Sequence, residues 1–354
     1  MLEGLIDRFG DGAVLMMAGA LVGLIFGAAA QHSRFCLRAA SIEVATGGFG
    51  PRLSIWLIAF SAGVMVVQGM IAFGLLDVSE ARPLAATGSM SGAIIGGLMF
   101  GTGMILARGC ASRLLVLSAT GNLRAIVTGL VLTLVAQSAL RGVLAPVREA
   151  LGALWLVPGG EARNILSHLG MGPGLAAAIA GLVLLAALWL AHMRGVRASH
   201  AIAGVFVGLA VGFGWLATYM IAQTSFEVVA ISSITFTGPS ADTLMGLVNS
   251  TSLPLGFGVG LVPGVFVGAA GMAIATREWK IERFGPDTPM ERYLVGAALM
   301  GFGSMLAGGC AVGAGMSGGA IFALTAWVAV FCMWIGAIAT HLVMGRGAVR
   351  VVTT

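Results

Sequence analysis

Polar positions are rare along this chain, and they gather at the ends of long apolar runs. Nine such runs stand out, near 12–31, 53–76, 89–107, 122–144, 172–193, 201–222, 253–276, 290–307 and 318–343. A run of about twenty apolar residues crosses the hydrocarbon layer of a membrane as a helix. A membrane barrel would instead show alternating strands of about ten residues. In lipid every backbone amide must bond within the protein, so the pattern predicts an all-α, polytopic membrane protein with about nine transmembrane helices. Four further stretches, 34–47, 110–120, 226–236 and 310–317, are too short to cross and too apolar for simple loops. They predict short re-entrant helices, which are tolerated where protein or a cavity covers them.

Composition sharpens this picture. Hydrophobic residues make up 58% of the 354 positions and charged residues 9%, and mean hydropathy is +1.00. A soluble domain carries about 25% charged residues, so membrane lipid is the main partner of this surface. The 55 glycines suit close helix packing and helix breaks beside a cavity. The net charge of +5 is scattered over loops and predicts no nucleic-acid partner. The first apolar run follows Glu3, Asp7 and Asp11, unlike the positive start of a signal peptide, so it reads as the first span. With the N-terminus outside, 14 Arg and Lys fall on the inner side and 5 on the outer. The expected topology is therefore a multi-pass inner-membrane protein with a periplasmic N-terminus and a cytoplasmic C-terminus.

An internal repeat organises the chain. Gly96–Ser112 reads GGLMFGTGMILARGCAS and Gly296–Val312 reads GAALMGFGSMLAGGCAV, with eight of seventeen positions identical. The expected organisation is one integral membrane domain, 1–354. Within it, 1–145 forms a first repeat, 146–199 a connector containing span five, and 200–354 a second repeat. One connecting span inverts the second repeat. Inverted repeats place broken helices and a binding site near the midplane, where Cys110 and Cys310 would arrive from opposite sides and Cys36 from the inner half.

The cysteines are Cys36, Cys110, Cys310 and Cys332, and none forms a CxxC pair. Neither zinc nor thioredoxin-like chemistry is signalled, the histidines lack metal spacing, and no cofactor motif occurs. Cys332, in mid-span, reads as a small buried hydrophobe. Arg108 and Arg113 flank Cys110. They read either as inner-face charges or as an electrostatic exit for an anion, and Arg34 and Arg38 invite the same two readings. Glu227 is an acid in an apolar stretch, a candidate for proton coupling or merely a rim residue.

The Gly-Cys motifs after spans three and eight, Phe35-Cys36 after span one, and the nine-span count together resemble the YeeE/YedE family of thiosulfate transporters. Leu306-Ala307-Gly308-Gly309-Cys310 is close to the family pattern, and Leu106-Ala107-Arg108-Gly109-Cys110 differs by placing Arg108 at a small-residue position. The resemblance implies two inverted halves, short inward helices and a central line of cysteines, here Cys36, Cys110 and Cys310. It also implies a cytoplasmic TusA-like sulfur carrier as partner. The residues suit such a task. Thiols are weak donors, so an ion can leave them. Gly109, Gly308 and Gly309 would let backbone approach the ion, and short-helix N-termini would add positive dipole ends. The expected function is import of thiosulfate or a related sulfur anion, without enzymatic turnover. The alternatives are another small anion, such as sulfite or a selenium analogue, and a membrane thiol-redox protein.

Overall fold

The computed structural model describes residues 2–249, 254–283 and 290–352, with side chains as far as Met344. The first part holds α1 (Leu2–Phe9), α2 (Asp11–Ser33), α3 (Leu37–Ala45), α4 (Pro51–Ala72), α5 (Arg82–Ala85), α6 (Met90–Leu106), α7 (Ala111–Ala119) and α8 (Leu123–Arg141). The middle holds α9 (Ala145–Gly152), α10 (Ile165–Leu169) and α11 (Pro173–Met193). The last part holds α12 (Ala198–Thr224), α13 (Thr237–Asn249), α14 (Phe257–Ala275), α15 (Met290–Ala307) and α16 (Leu324–Val352). The described strands are two-residue pieces, Gly88–Ser89 and Leu156–Val157, paired antiparallel.

The fold is all-α and polytopic. Among the described residues, eight helical segments are long and apolar enough to cross a membrane. The eighth expected span coincides with α15, whose first turn carries Glu291 and Arg292 and dilutes its apolar character. The seventh expected span begins at Leu253, outside the described residues, as are the side chains of Arg346 and Arg350. Local signals set the boundaries. Pro51 and Pro173 open α4 and α11, at the position where a missing N–H costs nothing. Ser89 caps α6 by accepting from Gly92 N at 2.8 Å, and Asn122 caps α8 by accepting from Ala125 N at 3.0 Å.

Glycine lets the long helices touch backbone to backbone. On α2, a Cβ at Gly19, Gly23 or Gly27 would lie within 2.4 Å of a carbonyl oxygen of α14, and Gly260, Gly264 and Gly268 meet α2 equally closely. Helix α4 packs on α12, and α6 packs on both α15 and α16. Helix α11 packs on α4 and turns Leu182, Leu185 and Trp189 outward, the face lipid must cover.

The four short apolar stretches resolve differently. Residues 34–47 and 110–120 form α3 and α7, as expected of re-entrant helices. Residues 310–317 lead into a π-helical turn, Gly313–Gly318, in which Ser317 N donates to Val312 O at 2.9 Å. Residues 226–236 are not helical. Their inner part is held by hydrogen bonds that a helix would make internally: Thr218 Oγ1 donates to Ser232 O at 2.6 Å, and Ser317 Oγ to Ile234 O at 2.6 Å.

Candidate functional site

The same turn occurs three times. A long helix ends, one residue turns left-handed, a linker follows, then a cysteine opens a new helical turn. The left-handed residues are Arg34 (φ 56°), Arg108 (φ 56°) and Gly308 (φ 80°). Each linker N–H reaches back five residues: Phe35 to Ala30 O at 3.2 Å, Gly109 to Met104 O at 3.2 Å, and Gly309 to Ser304 O at 2.9 Å. This is the Schellman closure of a helix C-terminus. Each cysteine carbonyl then accepts the first bond of the next turn, from Ala40 N at 3.2 Å, Leu114 N at 2.9 Å and Ala314 N at 2.8 Å. Arg108 therefore occupies the backbone conformation that glycine occupies at 308, at a cost of about 1 kcal/mol for a side-chain-bearing residue.

The three cysteines differ in surroundings. Cys36 is partly exposed, and Cys110 and Cys310 are buried. Neither Cys36 nor Cys110 caps its helix with its side chain, so the first-turn amides of α3 and α7 keep their positive ends available. Cys110 Sγ lies 3.3 Å from Ser112 Oγ. Cys310 Sγ accepts from Gly313 N at 3.4 Å and lies 4.0 Å from Thr235 Oγ1. Cys332 is elsewhere: a Cβ on Gly97 would stand 2.8 Å from its Cβ, at the α6–α16 contact. It packs, as a small hydrophobe does.

A cavity of about 420 Å³ opens beside Cys36, lined by Arg34, Arg38, Arg52, Arg108, Arg113 and Glu278 among others. Arg34 donates to Glu278 Oε1 at 2.9 Å, Gln31 Nε2 to Glu278 Oε2 at 3.0 Å, and Arg113 to Gln31 Oε1 at 3.4 Å. The hydrogen bond from Arg34 holds the Glu278 carboxyl below the usual carboxylate range. Arg108 and Arg113 thus share a cavity with Cys36.

The predicted glycines have separate reasons. Gly308 needs its positive φ. Gly309 has no room: a Cβ would lie 2.8 Å from Ala314 N. Gly109 has more, with Leu114 Cδ2 at 3.3 Å as the nearest obstacle. Glu227 is exposed between exposed Phe226 and Val228, which fits the rim reading. Sequence reasoning did not single out Gln31 and Glu278. A buried glutamine at the end of an apolar helix was the available signal; nothing marked Glu278, which comes from a loop over 240 residues away.

The family described as Sulphur transport matches residues 32–339. The chain is 26% identical to "Thiosulfate transporter TsuA" of Escherichia coli (strain K12), over 91% of this chain and 92% of that protein. It is 27% identical to "Thiosulfate transporter TsuA" of Spirochaeta thermophila, over 91% of this chain and 97% of that protein.

Proposed function

Because the chain belongs to the Sulphur transport family, we propose that it imports thiosulfate across the inner membrane, along a path past Cys36, Cys110 and Cys310. The threefold turn carries this reading. Three times, a helix C-terminus is folded away by a left-handed residue, and a cysteine is set at the start of the next turn. The names of the two relatives supply the ion.

Thiosulfate is large, polarizable and doubly charged. Stripping its water must be offset along the whole path, yet a tight arginine clamp would trap it. Neutral thiols offer weak, soft contacts, and the uncapped first turns of α3 and α7 offer partial positive charge without a fixed cation. The arginine-lined cavity beside Cys36 then serves as the exit. Arg34, Arg38, Arg52, Arg108 and Arg113 draw the anion out of the buried stretch into water. The inner side faces the cytoplasm, where a TusA-like carrier receives the sulfur. Two inverted halves, 1–145 and 200–354, joined by 146–199, build the path. The antiparallel, reciprocal contact of the repeat-matched segments of α6 and α15 supports that arrangement.

The deciding experiment is uptake of radiolabelled thiosulfate by cells lacking other sulfur importers, with and without this chain. Chain-dependent uptake, weakly competed by sulfite and by a selenium analogue, is expected. Chain-independent uptake would overturn the proposal. A reversible bond between two of these cysteines, trapped by a thiol gel-shift reagent during turnover, would favour redox chemistry instead.

A further inference from the structure

A second cavity, of about 410 Å³, adjoins the one beside Cys36 and is lined by Arg38, Ile105, Arg108, Arg292, His341 and Met344. Arg38 and Arg108 belong to both cavities, whereas Arg292 and His341 belong to this one alone. Among the described residues, no carboxylate lines it, in contrast to the Cys36 cavity with its Glu278 and Glu282. Tyr293 stands beside it, fully buried. The Arg108 guanidinium lies 5.9 Å and that of Arg124 5.0 Å from the centre of its ring, and Arg124 donates to its hydroxyl at 3.2 Å. Arg292 reaches a thioether, Met344 Sδ, at 3.1 Å, a weak neutral acceptor. The Nε atoms of Arg38 and Arg292 are buried with no hydrogen-bond partner among the described residues. Among the described residues, none of these four arginines is in a salt bridge.

Guanidinium groups crowded together without carboxylates repel one another, and buried N–H donors without acceptors are costly. One ligand class relieves both: a tetrahedral oxyanion, which presents several acceptors to guanidinium forks. We infer that Arg38, Arg108 and Arg292, with His341 at the edge, form a binding site for a sulfate- or phosphate-like group. Two sources share this chemistry. One is a free inorganic oxyanion. The other is the phosphate of an anionic lipid, for which Ile105 and Met344 offer an apolar flank. The site does not depend on the transport reading, and its absence would leave that reading untouched.

The test uses the full chain purified in detergent and radiolabelled inorganic sulfate as probe, at constant ionic strength. Wild type should bind saturably. R292Q should weaken binding about tenfold or more, the loss of one charge-assisted hydrogen bond. R194Q makes the same charge change at an exposed residue outside both cavities, and should stay within about twofold of wild type. Unchanged gel-filtration elution and unfolding midpoint of R292Q check that it folds. Should R292Q misfold, H341Q serves in its place, with a smaller weakening expected. Saturable binding that R292Q or H341Q leaves intact would sink the inference, as would binding lost equally in R194Q, or no binding at all. Phosphorus analysis separates the sources. Phospholipid carried by wild type, displaced by sulfate and reduced in R292Q identifies a lipid headgroup; sulfate binding without such lipid identifies the free ion.

Discussion

Gly96 and Gly303 rest on each other's backbone: a Cβ on the first would stand 2.5 Å from the Gly303 carbonyl oxygen, and one on the second 2.8 Å from that of Gly96. Gly103 and Gly296 make the same exchange at 2.5 and 2.7 Å. In the repeat, Gly96 matches Gly296 and Gly103 matches Gly303. Each helix thus offers the same two positions to its partner, as in a two-fold interface. Gly103→Ala should therefore lower stability by about 1–3 kcal/mol through overpacking. Gly129→Ala, with open space around it, should be neutral or slightly stabilising. Thermal unfolding in detergent, followed by tryptophan fluorescence, decides; equal midpoints for the two variants would refute close approach at α6–α15.

Cys36→Ala, Cys110→Ala and Cys310→Ala should each cut thiosulfate uptake severely, with expression matched. Cys332→Ala should leave uptake close to wild type, because Cys332 belongs to the α6–α16 packing. Serine refines the test. It keeps a donor but is harder than sulfur, so rescue by Ser assigns hydrogen bonding and failure to rescue assigns soft contact. Wild-type uptake in all three alanine variants would remove the cysteines from the mechanism.

Arg108→Gly should separate stability from transport. Glycine accepts φ 56° without strain, so the variant should unfold at the same or a higher temperature, by up to about 1 kcal/mol. It also removes a cation from the proposed exit, so uptake should fall several-fold. A variant that transports normally would remove Arg108 from the transport path.

Glu278 ties the loop after α14 to the end of α2. Its folded-state pKa is depressed, so the contact is fully present above the ordinary carboxylate range and is lost as pH falls through the lower folded value. Arg34 and Glu278 are 49% and 37% exposed, so water screens the pair, and Glu278→Gln should shift stability by less than about 1 kcal/mol. Local effects should be larger. Hydrogen exchange in residues 276–283 should quicken in this variant at pH 7, and in wild type only under acid. Identical exchange in both at pH 7 would remove the tether.

The same contact places the loop and the end of α2 on one face. Reporter fusions in the 276–286 loop and after residue 354 should both give a cytoplasmic signal. A periplasmic signal from either would overturn the proposed orientation.

Much of this architecture could be read directly from residue order. Long apolar runs have few alternatives to spanning helices, and a cysteine repeated after two hundred residues is hard to produce by glycine richness alone. The turns were less readable. Arg34 and Arg108 carry no glycine signal for a left-handed backbone; tertiary surroundings impose it. Residues 226–236 are apolar enough to read as a short membrane helix, yet rich in β-branched residues; hydrogen bonds to Thr218 and Val211 on α12, and to the distant Ser317, hold their inner part in a non-helical form. The arginine cluster around Tyr293 was invisible for the same reason. Residues 38, 108, 124 and 292 read as dispersed inner-face charges until three helices and the turn after α6 bring them together.

The non-helical segment has a consequence for how the protein is made. Residues 232–234 are tied by hydrogen bonds to two elements: Thr218 and Val211 on α12, made before them, and Ser317 on a turn emerging some eighty residues later. Until that turn leaves the ribosome, Ile234 O lacks the donor it has in the finished protein, and hydrocarbon offers none. The segment must therefore wait near the membrane surface or within the insertion machinery while α13, α14 and α15 are synthesised. Pairing of Ile234 O thus comes late in synthesis, and a chain truncated before Ser317 should be a substrate for membrane quality control, whatever the quality of its individual helices.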